Sequence, residues 1–283
     1  MCTLSWLVEP LGYQLFFNRD EQRSRTKALP PQHYENTGVA VLMPLDPDGG
    51  GSWIAVNEHG LSLCLLNFYQ GTLPTGLLKS RGQLLKSLTH IDNLTELTVQ
   101  LSSINLGDYA PFTLIAFARQ FSKTGGIRVV HKAFQWDGYE LNSLQTTSPM
   151  TSSSVDFESV SAARKQRYCE LPHESSTADL LAYHQGHQRT NDHQHQAMTK
   201  KGHKSVCMHR DDAHTVSFSH IEVTAEEALF TYVDRSPCNL ELNNIRSLRE
   251  SAELTRLALV PTSYNQTIFY KGPFLQPQGA VCE

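Results

Sequence analysis

The chain has 283 residues, 40% hydrophobic and 18% charged, with 24 Lys and Arg against 28 Asp and Glu for a formal net charge of -4. That is enough apolar material for one large core, and without a basic excess to neutralise phosphates, nucleic acid is excluded as the main partner. No apolar run approaches the ~20 residues of a membrane helix, and the six cysteines are scattered with no CxxC pair, which reads as free thiols and not a disulfide framework.

The β-rich runs CTLSWLV and YQLFFNRD flank the turn signal Glu9-Pro10-Leu11-Gly12, which predicts a hairpin over about residues 2–20. The same stretch lacks a basic n-region and carries Glu9 early, so the expected location is cytoplasmic. Residues 21–50 read as loop, from Pro30-Pro31, Pro44, Pro47 and Gly49-Gly50-Gly51. SWIAV and LSLCLLNF flank Asn57-Glu58-His59-Gly60, a second hairpin with glycine where a positive φ is needed. Over 78–104 the leucines take helical spacing, broken near His90, with Asp92 as the cap of a second helix. PFTLIAFA and GIRVVHKAFQW around Lys123-Thr124-Gly125-Gly126 predict a third hairpin, followed by the strand ELNSLQTT.

Residues 156–171 and 176–187 read as helices, the second opened by a capping box of Ser176 and Asp179. Residues 188–203 are polar and rich in Gly, His and Lys, and read as a flexible loop. SVCMHR, HTVSFSHIEV and EALFTYVD follow as strands, and 242–259 as a helix before an irregular tail. Plentiful hairpins without βαβ alternation predict an α+β fold of antiparallel sheets with segregated helices, in a single domain over 1–283.

Cys2 is the candidate nucleophile. Once Met1 is removed, one residue carries both a thiol and an α-amine, whose reference pKa of ~7.7–8.0 suits a general base near neutrality. In the first hairpin Asn18-Arg19-Asp20-Glu21 returns beside Cys2, so Asp20 is placed to tune the amine, and Arg19 or Asn18 to stabilise thiolate or substrate. Asn67 ends another apolar strand, where its amide can donate to a developing oxyanion. Arg210 in Cys207-Met208-His209-Arg210 is a further candidate beside the nucleophile or for a carboxylate substrate.

Nine of the 13 histidines lie between His173 and His220, but the pairs His184/His187 and His193/His195 lack a Cys or acidic ligand at a recognised spacing, so no metal site is expected. The triple glycine lacks the Lys-Ser/Thr of a P-loop, and no G-x-S-x-G elbow is present. Cys64 lies within an apolar strand and reads as packing.

MCT at the start, NRDE at 18–21, GGGSW at 49–53 and TSSSVDFESVSAAR at 151–164 together resemble the NRDE family, also called the transport and Golgi organisation 2 or Tango2-type family. The likeness runs from Met1 to about Pro237, and CMHRDDAHTVSFSHIEV is similar to its bacterial branch. More distantly, NEHGL and LLNF resemble the cholylglycine hydrolases and penicillin V acylases, which are N-terminal-nucleophile (Ntn) hydrolases of linear amides.

That second resemblance implies a four-layer αββα sandwich, with Cys2 as nucleophile, Asp20 as the aspartate closing an RNxD motif, Asn67 in the oxyanion hole and Arg210 as the late arginine. The arginine of the motif stands two places later here, as Arg19, either displaced in the strand's alternation or compensated by a bulge. Thr147 stands where those enzymes have a second asparagine. The expected activity is hydrolysis of a small amide or thioester, with no cofactor required. The alternative implied by the first resemblance is a non-catalytic carrier of haem, an acyl lipid or acyl-coenzyme A on the same scaffold.

Overall fold

The computed structural model describes residues 1–121, 126–189, 199–200, 202–241 and 243–260. The turn residues 123–125, most of the 188–203 stretch with His193 and His195, and the tail beyond 260 lie outside them. In chain order the elements are β1 Cys2–Glu9, β2 Gly12–Gln22, β3 Leu29–Asn36, β4 Val39–Leu45, β5 Ile54–Asn57, β6 Ser62–Asn67, α1 Arg81–Ser87, α2 Leu94–Ser103, β7 Phe112–Phe121, β8 Ile127–Trp136, β9 Leu141–Leu144 and β10 Met150–Ser152. Then follow α3 Phe157–Cys169, α4 Thr177–His184, the short β11 Gln188–Arg189 and β12 Thr199–Lys200, β13 Ala213–Val223, β14 Glu227–Val233, α5 Ile245–Glu250 and β15 Glu253–Ala258.

Two antiparallel sheets carry the fold, one in the order β10-β1-β2-β13-β14-β15 and one in the order β3-β4-β5-β6-β7-β8-β9. Alternation along each strand gives each sheet two faces. Leu4, Trp6, Tyr13, Leu15 and Phe17 of the first meet Leu42, Ile54, Val56, Ile115 and Phe117 of the second in the central core. The outer face of the seven-stranded sheet packs Leu63, Leu65 and Leu114 against Leu84, Leu85, Leu97 and Leu101 of α1 and α2. The outer face of the six-stranded sheet packs Phe16, Phe218 and Val233 against Leu180 and Leu181 of α4 and Leu248 of α5. The result is a four-layer α+β sandwich, in which each fully buried Leu or Phe contributes ~1.5–3 kcal/mol. Among the described residues no helix is long and apolar enough to cross a membrane.

Residues 21–50 are not loop. They hold β3 and β4, and β3 accepts Pro30 and Pro31 because it is an edge strand whose register shifts between Leu29 and Gln32. The stretch 242–259 is not one helix, since its second half is β15 on the edge of β14. SVCMHR forms no strand, only the bridge His209–His214. Asn93, not Asp92, caps α2, accepting from the Glu96 amide. The capping box of Ser176 and Asp179 is present.

Gly51 explains part of the GGGSW segment. A Cβ there would lie 2.0 Å from the Gly82 carbonyl carbon, so two glycines let the start of α1 press against the 49–53 loop. Gly51→Ala should cost about 1–3 kcal/mol by forcing α1 outward; urea midpoints of variant and parent check this, and an unchanged midpoint would contradict the close packing.

Candidate active site

β1 and β2 pair with Cys2 opposite Arg19. The ladder continues one step further, with the Asp20 amide donating to the Met1 carbonyl at 2.8 Å and the Met1 amine to the Asp20 carbonyl at 3.2 Å. Alternation turns Cys2 and Arg19 toward the other sheet, and Asn18 and Asp20 toward the helices. Both faces meet at the open strand end. There a cavity of about 310 Å³ is lined by Met1, Cys2, Arg19, Asp20, Asn67 and Arg81, among others. A larger cavity of about 420 Å³ lies beyond Arg19, beside His209 and Asp234, but neither Cys2 nor Asp20 lines it. The chemistry-bearing residues therefore converge on the smaller one.

Asp20 is buried. Its Oδ1 accepts from Thr215 Oγ1 at 2.6 Å. Its Oδ2 lies 3.5 Å from an Arg164 guanidinium nitrogen, an ion-pair contact, and has no hydrogen-bond donor among the described residues. Burial pushes the Asp20 carboxyl above its usual range, while Arg164 and the α-amine pull it back. Burial likewise holds the Cys2 thiol up, opposed first by that amine. With Met1 attached, the thiol is thus held in its resting, protonated form. Arg19 is fixed on three sides, 4.2 Å over the Trp53 ring and 3.5 and 3.8 Å from the carboxylates of Glu21 and Asp46.

Cys2, Arg19, Asp20 and Asn67 are thus brought together. Asn67 Nδ2 donates to the Tyr69 hydroxyl at 2.9 Å on the cavity wall. Asn18 is not at the cavity. Its Nδ2 donates to the carbonyls of His184 and Val206, each at 2.9 Å, and pins those segments to β2. Thr147 is exposed between β9 and β10 and does not line the cavity. Arg210 does not line it either. It pairs with Asp212 at 2.5 Å and reaches only the Met1 sulfur, at 3.6 Å.

The displaced arginine of the motif has a simple geometry. Two steps along a strand return to the same face, so Arg19 points where Phe17 points. The bulge lies in the neighbouring strand, where the register of β13 shifts between Thr215 and Ser217 opposite Asp20 and Arg19.

Three residues escaped the sequence reading. Arg81 opens α1, lines the cavity and donates to the Pro111 carbonyl at 2.7 Å. Thr215 and Arg164 hold Asp20. Arg164 had a signal, since it lies four residues after Val160 and so on the same buried face of α3.

A cysteine-to-alanine mutant of conjugated bile acid hydrolase from Clostridium perfringens is similar to this chain, at 14% identity and a TM-score of 0.43 over 94% of this chain and 100% of that one. An arginine-to-leucine variant of the conjugated bile acid hydrolase from Clostridium perfringens gives 14% identity and a TM-score of 0.42 over 93% and 100%. No curated protein sequence matches the chain. Residues 1–227 match the family described as Transport and Golgi organisation 2, and the chain belongs to that family.

Proposed function

We propose that this protein is an N-terminal-cysteine hydrolase that cleaves a small linear amide or thioester once Met1 has been removed. The observation that carries this reading is the buried Asp20, which pairs through its backbone with Met1 and whose Oδ2 has only the 3.5 Å ion-pair contact of Arg164 among the described residues. Loss of Met1 turns the Cys2 nitrogen into an amine with protons to give, and a buried acceptor without a donor is costly enough to favour that contact. Loss of Met1 also clears a residue from the cavity wall.

In the processed chain the Cys2 amine takes the thiol proton and Sγ attacks the substrate carbonyl. The Asn67 amide and a backbone N–H receive the oxyanion. Asp20 holds the ammonium, which returns the proton to the leaving amine or thiol. Water, activated by the same amine, then releases the acid from the acyl-enzyme. Arg19 and Arg81 on the cavity wall favour a substrate with a carboxylate near the scissile bond.

The test is intact and peptide mass of the purified protein after exposure to a panel of N-acyl amino acids and acyl thioesters. The expected result is a chain lacking Met1 with an acyl adduct on the Cys2 peptide, and neither adduct nor turnover in Cys2→Ala. Turnover retained by Cys2→Ala would sink the assignment.

A second reading has its own observation. With Met1 in place its amine is tied to the Asp20 carbonyl and the Cys2 nitrogen is an amide, which cannot act as the base. Such a chain would serve as a carrier of haem or an acyl lipid in the same cavity. A Met1-bearing chain that shifts the Soret band of haem, or is thermally stabilised by acyl-coenzyme A, would favour the carrier.

A further inference from the structure

Beside the larger cavity, which His209 lines, four side chains from three separate stretches meet. His187 follows α4, Cys207 and His209 lie in the segment before β13, and Cys238 lies in the 3-10 turn Pro237–Asn239. The ligand atoms of His187, His209 and Cys238 all lie within 4.8 Å of one another. His209 Nε2 is 3.2 Å from Cys238 Sγ and 3.6 Å from Cys207 Sγ.

We propose that these four residues bind one zinc-class divalent cation in a tetrahedral Cys2His2 site. The spacing argues for it. With bonds of ~2.05 Å to imidazole and ~2.3 Å to thiolate, tetrahedral geometry sets nitrogen and sulfur about 3.6 Å apart. The two His209–sulfur distances, 3.6 and 3.2 Å, lie within about 0.4 Å of that value. Two thiolates and two neutral imidazoles also balance a doubly charged ion.

The surroundings point the same way. His187 Nδ1 lies 2.9 Å from the Cys207 carbonyl. An N–H there fixes the ring and leaves Nε2 as the ligand atom, the usual outer-shell arrangement of a metal-bound histidine. The Cys207 amide donates to the Gly186 carbonyl at 2.9 Å, so the segments bearing the two histidines are already tied. Cys207 is fully buried, and the other three are half-buried at the rim.

Four protein ligands leave no open position, so the ion is structural and not catalytic. Its job is visible in the hydrogen bonds. Met208, between two ligands, receives a backbone bond from Thr215 at 2.8 Å and donates to Thr215 Oγ1 at 2.8 Å. That hydroxyl donates to Asp20. The ion fastens the segment that positions the donor to Asp20.

Sequence reasoning missed the set because the ligands stand at 187, 207, 209 and 238, with no short metal-binding spacing. The test uses the full chain purified under reducing conditions without chelator. Elemental analysis is expected to give about one zinc per chain. Replacement by Co²⁺ should give the intense visible bands of a tetrahedral site and thiolate-to-metal charge transfer in the near ultraviolet. Chelation should lower Tm by roughly 5–15 °C. Cys238→Ser and His209→Gln should lose the metal, while Cys64→Ser, in the central core, should keep it. If those variants fail to fold, the unaltered chain still decides, since a thiol reagent must release the zinc as it modifies Cys207 and Cys238. Substoichiometric zinc, a cobalt spectrum without thiolate bands, or a Cys207–Cys238 disulfide in the reduced preparation would overturn the proposal.

Discussion

Arg164→Met is expected to lower the unfolding free energy by roughly 3–5 kcal/mol, the range found when one partner of a buried ion pair is removed. Arg164 is completely buried in α3. One guanidinium nitrogen donates to Thr3 Oγ1 at 2.5 Å, while the other donates to the His203 carbonyl at 3.1 Å and lies 3.5 Å from Asp20 Oδ2. Without it, Asp20 is a buried charge that has lost its guanidinium partner, with only the α-amine left to offset it. Adding Asp20→Asn removes that charge, and the double variant should recover to within about 1–2 kcal/mol of the parent, the residue being two lost hydrogen bonds.

The pH dependence has a defined sign. The folded pKa of Asp20 is raised, so its ionisation counts against the fold as pH rises, and removing Arg164 raises it further. The penalty of Arg164→Met is therefore largest at neutral pH and shrinks toward acid, where Asp20 is protonated. Urea titrations of the parent, the two single variants Arg164→Met and Asp20→Asn, and the double variant at two pH values check this. A single-variant loss below 1 kcal/mol, or a double variant as unstable as the single, would contradict the pairing.

Acid should unfold this protein through two histidines. His184 and His220 are fully buried between β2, β13 and the helices. Burial drives both down to about 3, aided at His184 by Arg164 and His220 and at His220 by Arg249. Each Nε2 has a partner, Ser5 Oγ at 2.8 Å and Gln14 Oε1 at 2.9 Å, while each Nδ1 has none among the described residues. Their neutral forms fit and their charged forms do not.

A depressed folded pKa means that the stability is present above the unfolded value of ~6.5 and is lost as pH falls toward the folded one. Between pH 7 and pH 5 each histidine should cost about 2 kcal/mol, roughly 4 together, against a typical total of ~5–15. His220→Phe, which keeps the contact with Phe16 at 4.8 Å between ring centroids, should halve that loss. Denaturant midpoints across this pH range measure it, and a parent with flat stability from pH 7 to 5 would refute the account.

Much of the candidate site's geometry was legible from the hairpin at the start of the chain. Pro10-Leu11 forces a tight turn, and counting back from it sets Arg19 opposite Cys2 without reference to the rest of the chain. Asn67 was legible for a similar reason, since it ends an apolar run. What sequence could not show was which face each polar residue takes once distant segments arrive. Asn18 looks like a site residue beside Arg19, yet β2 turns it toward α4, where two carbonyls need a donor. Arg210 stands near Cys2 only through Met1, and Thr147 is left outside by the β9–β10 connection.

The misread elements share a cause. β3 and β15 are both edge strands, one with two prolines and one with helix-forming residues, and only pairing with a neighbour makes them strands. The four residues of the proposed metal site are separated by the stretch between His187 and Cys207 and by β13 and β14, so only the folded chain gathers them.

The order of the six-stranded sheet has a practical consequence. The family match ends at residue 227, where β14 begins, and β14 covers the outer side of β13. A chain cut at that boundary would keep Cys2, Asp20 and Asn67. It would also bare the edge of β13 over Phe218–Val223, the stretch that pairs with β14, a row of unpaired amides and carbonyls able to template a second copy. β14 thus shields that stretch from edge-to-edge pairing, β15 shields β14 in turn, and a chain ending at residue 227 is expected to self-associate more readily than one running through Ala258.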